Sequence, residues 1–288
     1  MGLNKIIISV RFMFYILGVI FFTKALLQCS EDLKDDEQRH KVVINSAAKQ
    51  ELPPGFEESV SFSGAAFYFF HHLGVAAYLQ ETYNLSKVCF LGASAGTMPA
   101  CFLAADIPIK EVMESWLPEV YSILKKTGVY FVVFKVMMEV FLKRAPEDSY
   151  LKASGRAIFS LTNMESWLPC HERISEFTSN KHVLEAAFAS GHLLYIVNGE
   201  QWAKLNDKKY IDGGLTDSHP IINKDTIQVI PYMWHFLWSK IWFMNSMYGS
   251  TSDERNSRLY KDGYEGAKEN PNHWKRLDRF RKVPRASL

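Results

Sequence analysis

The sequence predicts an α/β fold in which short apolar strands alternate with helices around a mainly parallel or mixed sheet. Two junctions carry this prediction, because each passes from a strand pattern through a glycine into a helical pattern. The predicted strands span 59–63, 88–91, 193–197 and 226–230, and the predicted helices span 67–81, 95–105, 109–126, 129–143 and 181–190. With 288 residues, the chain is long enough for one sizeable domain of this class.

Composition narrows the function classes. The chain is 48% hydrophobic and 14% aromatic, which is ample for a core and high enough for a lipid-facing surface. Its formal net charge of +2 gives no reason to expect a nucleic-acid partner. None of the four cysteines are paired at metal-ligand spacing, and Cys89 and Cys101 lie in apolar runs typical of buried thiols. We therefore expect no metal and no cofactor.

The N-terminal segment 1–29 is mostly apolar. Its uncharged stretch Phe12–Thr23 has 12 residues, which suits a secretory signal but is shorter than the about 20 residues of a spanning helix. The longer run Ile6–Cys29 reaches that length if Arg11 and Lys24 extend to the two membrane interfaces. We prefer an uncleaved hydrophobic anchor helix here, with a cleaved signal peptide as the alternative.

A polar linker is predicted to follow the anchor. Charged residues crowd positions 31–37, and Pro53-Pro54-Gly55 closes the segment, as is typical of a solvated tether. The resulting division is a linker at 30–58, a folded domain at 59–270 with an aromatic insertion at 231–248, and a basic tail at 271–288.

Ser94 lies at the centre of a Gly-x-Ser-x-Gly motif that begins at Gly92 and ends at Gly96. Strand, sharp turn and helix form the context in which this motif indicates a nucleophile elbow. The two glycines leave room for a turn that lifts the serine hydroxyl above the sheet, and the helix that follows aims N–H groups at nearby negative charge. The alternative is an ordinary serine in a glycine-bracketed loop.

The earlier strand–glycine–helix junction, Gly64-Ala65-Ala66, is able to supply backbone N–H groups to an oxyanion hole. His71 and His72 lie in the helix that follows. Adjacent residues point about 100° apart on a helix, so at least one of the two histidines is expected to be structural. We assign neither a catalytic role.

Several stretches together carry a family resemblance. They are Ser61-Phe62-Ser63-Gly64 continuing to Ala76, Gly92-Ala93-Ser94-Ala95-Gly96, Ala153-Ser154-Gly155-Arg156 continuing to Thr162, Tyr210-Ile211-Asp212-Gly213-Gly214-Leu215-Thr216-Asp217 with Pro220, and Lys261-Asp262-Gly263-Tyr264. In this order, over 59–270, they resemble the patatin-like phospholipase family, and within it the adipose triglyceride lipase and adiponutrin branch.

The resemblance implies a three-layer α/β/α sandwich of patatin type and a Ser–Asp dyad without histidine. Ser94 would attack an ester carbonyl, and Asp212 would act as general base and then as general acid. Gly213 and Gly214 would let the backbone turn so that the carboxylate faces Ser94. Without the elbow upstream, Asp212 would be interpreted as an aspartate that caps a turn.

The oxyanion loop departs from the family pattern. The family usually carries glycine at three positions of this loop, whereas here only Gly64 is a glycine and the other two positions hold Ala66 and Phe69. Alanine and phenylalanine also have backbone N–H groups, but they fit poorly where φ must be positive. The departure predicts either a slow enzyme or a lipid-binding relative without turnover.

The aromatic insertion carries three tryptophans, Trp234, Trp238 and Trp242, at intervals of four residues. On a helix they form one stripe, and tryptophan favours the boundary between membrane and water. An interfacial helix that contacts a membrane is one hypothesis, and a helix in the protein core is the other. The basic tail has the same two interpretations, a solvated segment or one that contacts anionic headgroups.

The preferred function is a serine lipid acyl hydrolase, similar to triacylglycerol lipases and phospholipases, at the endoplasmic reticulum or a lipid droplet. The expected partners are a lipid ester, a membrane or droplet surface and a protein co-regulator; a secreted protein is the alternative location. Alternative functions are a transacylase and an impaired lipid-binding or lipase-regulating protein. An α/β-hydrolase triad that uses His219, His235 or His273 ranks last, because only one strand precedes the elbow strand.

Overall fold

The protein is seen here as a computed structural model that describes residues 51–127, 133–166, 168–194, 198–231 and 253–283. The strands are β1 (Glu58–Phe62), β2 (Val88–Ala93), β3 (Ala157–Asn163), β4 (Cys170–Ile174), β5 (Ala203–Leu205), β6 (Lys208–Ile211) and β7 (Ile227–Val229). Within those ranges the α-helices are α1 (Phe69–Thr82), α2 (Thr97–Ala104), α3 (Ile109–Glu111), α4 (Leu117–Thr127), α5 (Val133–Arg144), α6 (Ser149–Ala153), α7 (Asn180–Ser190), α8 (Gly214–Asp217) and α9 (Asp253–Glu269). A π-helical turn, Val112–Trp116, joins α3 to α4, and 3₁₀ turns occupy Ala66–Tyr68, Ser94–Gly96 and Pro271–Phe280.

The seven strands form one mixed sheet in the order β5-β6-β3-β2-β1-β7, with β4 paired to β3 outside this path. The pairs β7–β1, β1–β2 and β2–β3 are parallel, and the pairs of β3 with β4, β3 with β6 and β5 with β6 are antiparallel. The α/β class with a mixed central sheet is therefore confirmed. All residues of β1, β2 and β3 are buried, as expected for strands that are covered on both faces.

Strand β3 brings two other strands together end to end. Its last residues, Thr162 and Asn163, pair with both β4 and β6, so these strands lie on opposite edges of β3. Because Phe159 and Ser160 pair with both β2 and β4, β2 lies on the same edge of β3 as β6. Strand β2 runs along this edge toward Ser160, and β6 runs in the opposite direction toward Thr162, so their carboxyl ends meet.

Alternate residues of the central strands face two apolar clusters of unequal size. Residues such as Phe62 and Phe90 belong to a large cluster that α1, α2 and α7 complete. Residues such as Leu91 and Ile158 belong to a small cluster on the other face, which Leu52 and Phe56 help to close. In the described part of the chain, the layer that covers the sheet on the side of Leu91 and Ile158 is therefore thinner than the layer on the opposite face.

The compact unit begins at Glu51, earlier than predicted. Leu52 and Phe56 pack against the small cluster and β1 starts at Glu58, so the predicted polar linker is wrong for residues 51–58. The strand predicted at 193–197 is also wrong in its first two residues, which belong to no strand, and its residues 195–197 lie outside the described residues. Helix α5 confirms the helix predicted near 129–143, and its Val136, Val140 and Phe141 are buried in the core.

The predicted basic tail is wrong over residues 271–283. Trp274 and Leu277 are both 0% exposed, so the 3₁₀ turn Pro271–Phe280 completes the core. Arg276 and Arg279 bind the buried carboxylate of Glu58 at 3.0–3.3 Å rather than projecting freely into solvent. Arg276 and Arg279 therefore fasten this segment to β1.

Helices α1 and α9 cross at two glycines. A Cβ atom on Gly74 would lie 2.0 Å from the Tyr260 carbonyl oxygen, and one on Gly263 would lie 2.1 Å from the His71 carbonyl oxygen. Only glycine allows backbones to approach so closely.

The predicted anchor at 1–29 and residues 232–248 of the predicted aromatic insertion lie outside the described residues. In the described ranges, no helix combines the length and apolar character that a bilayer span requires.

Candidate active site

The turn after β2 has the geometry of a nucleophile elbow. Ala93 is extended, and Ser94 adopts a positive φ of 52°, which is uncommon for a residue other than glycine. A Cβ atom on Gly92 would lie 2.6 Å from the Gly96 carbonyl oxygen, and one on Gly96 would lie 2.2 Å from the Phe62 carbonyl oxygen. Both glycines are thus required by close packing, and the turn leaves Ser94 partly exposed at the edge of the sheet.

Ser94 and Asp212 are in direct contact. The Ser94 hydroxyl donates a hydrogen bond of 2.5 Å to Oδ2 of Asp212, and the Gly214 N–H donates one of 2.7 Å to Oδ1. Both residues follow the last residue of a strand, since Ala93 ends β2 and Ile211 ends β6. The meeting of these strands along β3 therefore places the hydroxyl and the carboxylate together.

Burial raises the pKa of Asp212 to about 6, although the hydrogen bonds from Ser94 and Gly214 act in the opposite direction. Desolvation disfavours the ionised carboxylate, whereas the two donors favour it. A carboxylate with a pKa close to neutrality is a better general base than one with the ordinary value of aspartate. The geometry thus pairs a hydroxyl with a carboxylate able to take its proton.

A third segment, Ala187–His192, holds both halves of this pair. The Ser94 N–H donates to the Ser190 hydroxyl at 2.8 Å, and the Thr97 hydroxyl lies 3.3 Å from the Ala187 carbonyl oxygen. The N–H groups of Asp212 and Gly213 donate to the carbonyl oxygens of His192 and Ser190 at 2.9 and 2.8 Å. Sequence reasoning missed this segment, since a serine before Gly191 has the pattern of an ordinary helix end.

The loop Gly64-Ala65-Ala66 lies beside Ser94, because a Cβ atom on Gly64 would be 3.7 Å from Ser94 Cβ. The Gly64 N–H donates to the Ser218 carbonyl oxygen at 3.0 Å and is therefore occupied. Among the described residues, no acceptor is found for the N–H groups of Ala65 and Ala66. These two amides are the ones in this loop that remain available to a developing oxyanion.

The two substituted glycine positions behave differently. Ala66 has a φ of +44°, so its backbone lies where glycine is favoured, whereas Phe69 has right-handed helical angles of −42° and −42° and needs no glycine.

His72 is buried in α1 and contacts the residue that precedes this loop. Its Nε2 donates a hydrogen bond of 3.1 Å to the Ser63 carbonyl oxygen. Burial lowers the pKa of His72 to about 3, so this histidine is neutral and structural.

Several known proteins are similar in sequence to this chain. A human patatin-like phospholipase domain-containing protein 2 is 30% identical over 183 residues, which cover 60% of this chain and 36% of that protein. A mouse 1-acylglycerol-3-phosphate O-acyltransferase is 26% identical over 182 residues, which cover 60% of this chain and 43% of that protein. The relatives are patatin-like proteins.

A human omega-hydroxyceramide transacylase, 29% identical over 174 residues, covers 58% of this chain and 32% of its own length. The chain thus spans about one third to two fifths of the length of these relatives. No family model matches the chain. Among solved structures, VipD from Legionella pneumophila has a TM-score of 0.45 at 15% identity and covers 80% of this chain and 68% of its own.

His273 is engaged away from the dyad, and several other predicted residues lie outside the described part of the chain. Nε2 of His273 lies 3.0 Å from the Gln228 carbonyl oxygen in β7. His235 and the three tryptophans Trp234, Trp238 and Trp242 fall outside the described residues. Burial raises the pKa of Cys89 and of Cys101 to about 12, so neither is a competing nucleophile. Over the described ranges, no three His, Cys, Asp or Glu side chains converge as metal ligands do.

Proposed function

We propose that the protein is a serine acyl hydrolase that acts on lipid esters through Ser94 and Asp212. The observation that carries the proposal is the 2.5 Å hydrogen bond from the Ser94 hydroxyl, presented at a strained elbow, to a carboxylate with a raised pKa. Since the hydroxyl donates directly to the carboxylate, Asp212 occupies the position that histidine takes in a triad. This contact argues against the three-residue alternative.

In the first step, the proton of the Ser94 hydroxyl passes to Oδ2 of Asp212 while Oγ forms a bond to the ester carbonyl carbon. The carbonyl oxygen becomes an oxyanion. The amides of Ala65 and Ala66 are the proposed donors to it; the support is that the loop lies next to Ser94 and that its Gly64 N–H is already bonded to Ser218. Such donors contribute a large share of the rate enhancement in acyl transfer.

In the second step, the bond between the carbonyl carbon and the alcohol oxygen breaks, and Asp212 gives its proton to the departing alcohol. This leaves Ser94 acylated and Asp212 ionised. An acceptor hydroxyl then attacks the acyl-enzyme, and Asp212 takes the acceptor's proton and returns it to Ser94 Oγ as the product leaves. When the acceptor is water, the product is a fatty acid.

A transacylase is the second candidate, and it differs only in the acceptor. Its support comes from the relatives, of which one is named an O-acyltransferase and another a transacylase. An acceptor alcohol in place of water requires no other residue in the dyad. Because the chain covers less than half of each relative, the substrate is proposed only as a class, acyl esters of glycerol or of similar lipid alcohols. The acceptor is proposed as water or such an alcohol.

We further propose that the protein works at the surface of the endoplasmic reticulum membrane or of a lipid droplet, and that a co-regulator protein is one of its partners. The support is the apolar N-terminal segment 1–29 and the tryptophan stripe at 234, 238 and 242. Replacing Trp238 and Trp242 with serine is expected to weaken binding to liposomes while the protein stays folded. Precipitation of this variant would favour a role of the stripe in the core.

The central experiment uses the full chain in mild detergent, with Ser94→Ala, Asp212→Asn and, as control, Ser86→Ala at an exposed serine outside the site. Each protein is treated with a fluorophosphonate probe and assayed on a p-nitrophenyl ester and on emulsified triacylglycerol. Wild type and Ser86→Ala are expected to label and turn over, whereas both dyad variants lose about four orders of magnitude in rate. Equal activity of Ser94→Ala and wild type would refute the proposal.

An impaired lipid-binding protein remains the competing function, and the positive φ of Ala66 favours it. A folded wild type that neither labels nor turns over would support this alternative. Addition of a long-chain alcohol to the assay separates the two acyl-transfer candidates, since a transacylase would form an ester of that alcohol in place of free fatty acid.

A further inference from the structure

Ser190, the last residue of α7, joins three segments of the site through one side chain and one carbonyl group. Its hydroxyl accepts the N–H of Ser94 at 2.8 Å and donates to the Ser160 carbonyl oxygen of β3 at 2.6 Å. Its own carbonyl oxygen accepts the N–H of Gly213 at 2.8 Å. The side chain is 0% exposed, so neither contact is exchanged with solvent.

We infer that Ser190 is a positioning residue for the Ser94–Asp212 pair, an inference that rests on the proposed function. Its hydroxyl fixes the N–H of the nucleophile, and thereby the left-handed backbone that aims the Ser94 hydroxyl. Its carbonyl oxygen fixes the peptide that follows Asp212. The same residue therefore sets both ends of the 2.5 Å contact between hydroxyl and carboxylate.

The inference explains why a hydroxyl is needed at this position. The site needs an acceptor for Ser94 and a donor for Ser160 on one atom, and a serine hydroxyl supplies both. Gly213 lies close to this hydroxyl, because a Cβ atom added at Gly213 would lie 2.9 Å from the Ser190 hydroxyl oxygen. An alanine at 190 leaves a gap the size of one hydroxyl, too small for a water, so that both partners lose their hydrogen bonds.

Strain at Ser94 makes this anchoring important. A residue other than glycine keeps a left-handed backbone only where its surroundings determine it. Ser94 is held on its N–H side by Ser190 and on its carbonyl side by the Thr97 hydroxyl, at 2.7 Å. Without the first anchor, Ser94 is free to relax away from Asp212, and a displacement of about 1 Å at a reacting group costs about 10²-fold in rate.

The test compares wild type, Ser190→Ala, Ser190→Cys and Ser59→Ala as full chains in detergent. Ser59 is a matched control because its hydroxyl is also buried, 2% exposed, and donates to another hydroxyl, that of Thr226, at 2.9 Å. It lies in β1 opposite Cys89, five residues before Ser94, which is about 16 Å along the strand. Both alanine variants thus lose a buried hydroxyl, but only one loss is at the site.

Two quantities are measured, kcat and KM on a p-nitrophenyl ester, and amide hydrogen exchange of the peptide 90–98. Ser190→Ala is expected to lower kcat about 10- to 100-fold with KM within about threefold, and to speed exchange at the elbow on the order of tenfold. Ser190→Cys is expected to lie between wild type and Ser190→Ala, because a thiol is a weak donor and acceptor. Ser59→Ala should keep kcat within about threefold.

The inference is overturned if Ser190→Ala and Ser59→Ala have the same kcat, or if the elbow peptide exchanges at the wild-type rate. If Ser190→Ala does not fold, Ser190→Cys decides the matter by the same two measurements. A wild type without turnover refutes the proposed function alone, and the exchange rates then decide the positioning role by themselves.

Discussion

Two segments beside the reacting centre place a residue other than glycine in the left-handed region, and they are supported in different ways. At the elbow, Ser94 has a φ of 52° and is held by hydrogen bonds to its N–H and its carbonyl oxygen. At the oxyanion loop, Ala66 has a φ of 44°, and no side chain caps the turn that follows Ala65. The first conformation is fixed by its surroundings, whereas the second is only tolerated.

The difference separates backbone strain that the proposed mechanism uses, at Ser94, from backbone strain that follows only from the choice of residue, at Ala66. The strained angle of Ser94 aims its hydroxyl at Asp212, and relaxing it would remove the contact. The strained angle of Ala66 affects only a backbone, which glycine would adopt at lower cost. We therefore expect substitutions near the elbow to destroy activity. Glycine at position 66 is expected instead to raise the free energy of unfolding.

The largest effect is expected from Gly213→Ala, which tests the well-supported segment. The new Cβ atom would lie 1.8 Å from the Ser160 carbonyl oxygen, so the peptide after Asp212 must move and carry the carboxylate with it. We expect about a 10³-fold loss of esterase activity, in line with the misplacement of a reacting group. The assay is turnover of a p-nitrophenyl ester.

Gly55→Ala is the control for this variant. Gly55 is not next to Ser94 or Asp212 in the sequence, and a Cβ atom added there would meet open space, although its φ is +90°. It is expected to cost about 1 kcal/mol of stability and to leave turnover unchanged. Equal activity of the two variants would show that the backbone after Asp212 is less constrained than its contacts indicate.

The second prediction concerns pH and the carboxylate that faces the elbow. Asp212 acts as a base only when ionised, and burial raises its pKa to about 6. Activity, measured as kcat/KM, is therefore expected to be constant above neutrality, half-maximal near pH 6 and about tenfold lower for each further unit of acid. Circular dichroism at pH 5 checks that the protein is still folded. An acid limb near pH 4 would mean that Asp212 titrates as an ordinary aspartate.

A third prediction separates the two positions of the oxyanion loop that lack glycine. Phe69→Gly is expected to lower the free energy of unfolding by about 2 kcal/mol, because the helical position gains nothing from glycine and loses a partly buried ring. That ring lies edge-on to Phe70 at 5.2 Å between centroids. Urea denaturation measures the effect, and a stabilised variant would contradict the right-handed angles of Phe69.

The smallest effect is expected from Ala66→Gly, which should raise the free energy of unfolding by about 1 kcal/mol by removing the strained alanine. Ala65→Gly is the matched control, since Ala65 has a φ of −140° and gains nothing from glycine; it should lose about 0.5–1 kcal/mol. Both are read from urea midpoints. A rise of more than tenfold in turnover for Ala66→Gly would show that the alanine also limits the oxyanion hole.

Sequence patterns were sufficient for the parts of the site that are local. Ser94 and Asp212 each follow a short strand and are bracketed or followed by glycine, so the motifs identify both residues and the structure brings them together. Ser190 has no such pattern, because its importance depends on contacts with residues 30 and 96 positions away. No local pattern contains that information.

The fold shows the same limit. Strands and helices around the two glycine junctions were predicted because their periodicity is local, and β1, β2, α1 and α2 confirm them. The segment 271–283 was misjudged because Trp274 and Leu277 are surrounded by arginine and lysine in the sequence, and only docking against the core shows that they are buried. The charged residues of this segment lie on its exposed face, and their number in the sequence gives no sign of the buried apolar face.

The meeting of β2 and β6 along one edge of β3 has a consequence for how the chain acquires its chemistry. Ser94 lies 118 residues before Asp212, and α7 and β5 lie between them in the chain. Contacts of such long sequence separation form late, because the entropy of closing the loop must first be overcome. On the proposed mechanism, a nascent chain therefore carries Ser94 without its proposed base, and the two residues meet only as the domain completes folding.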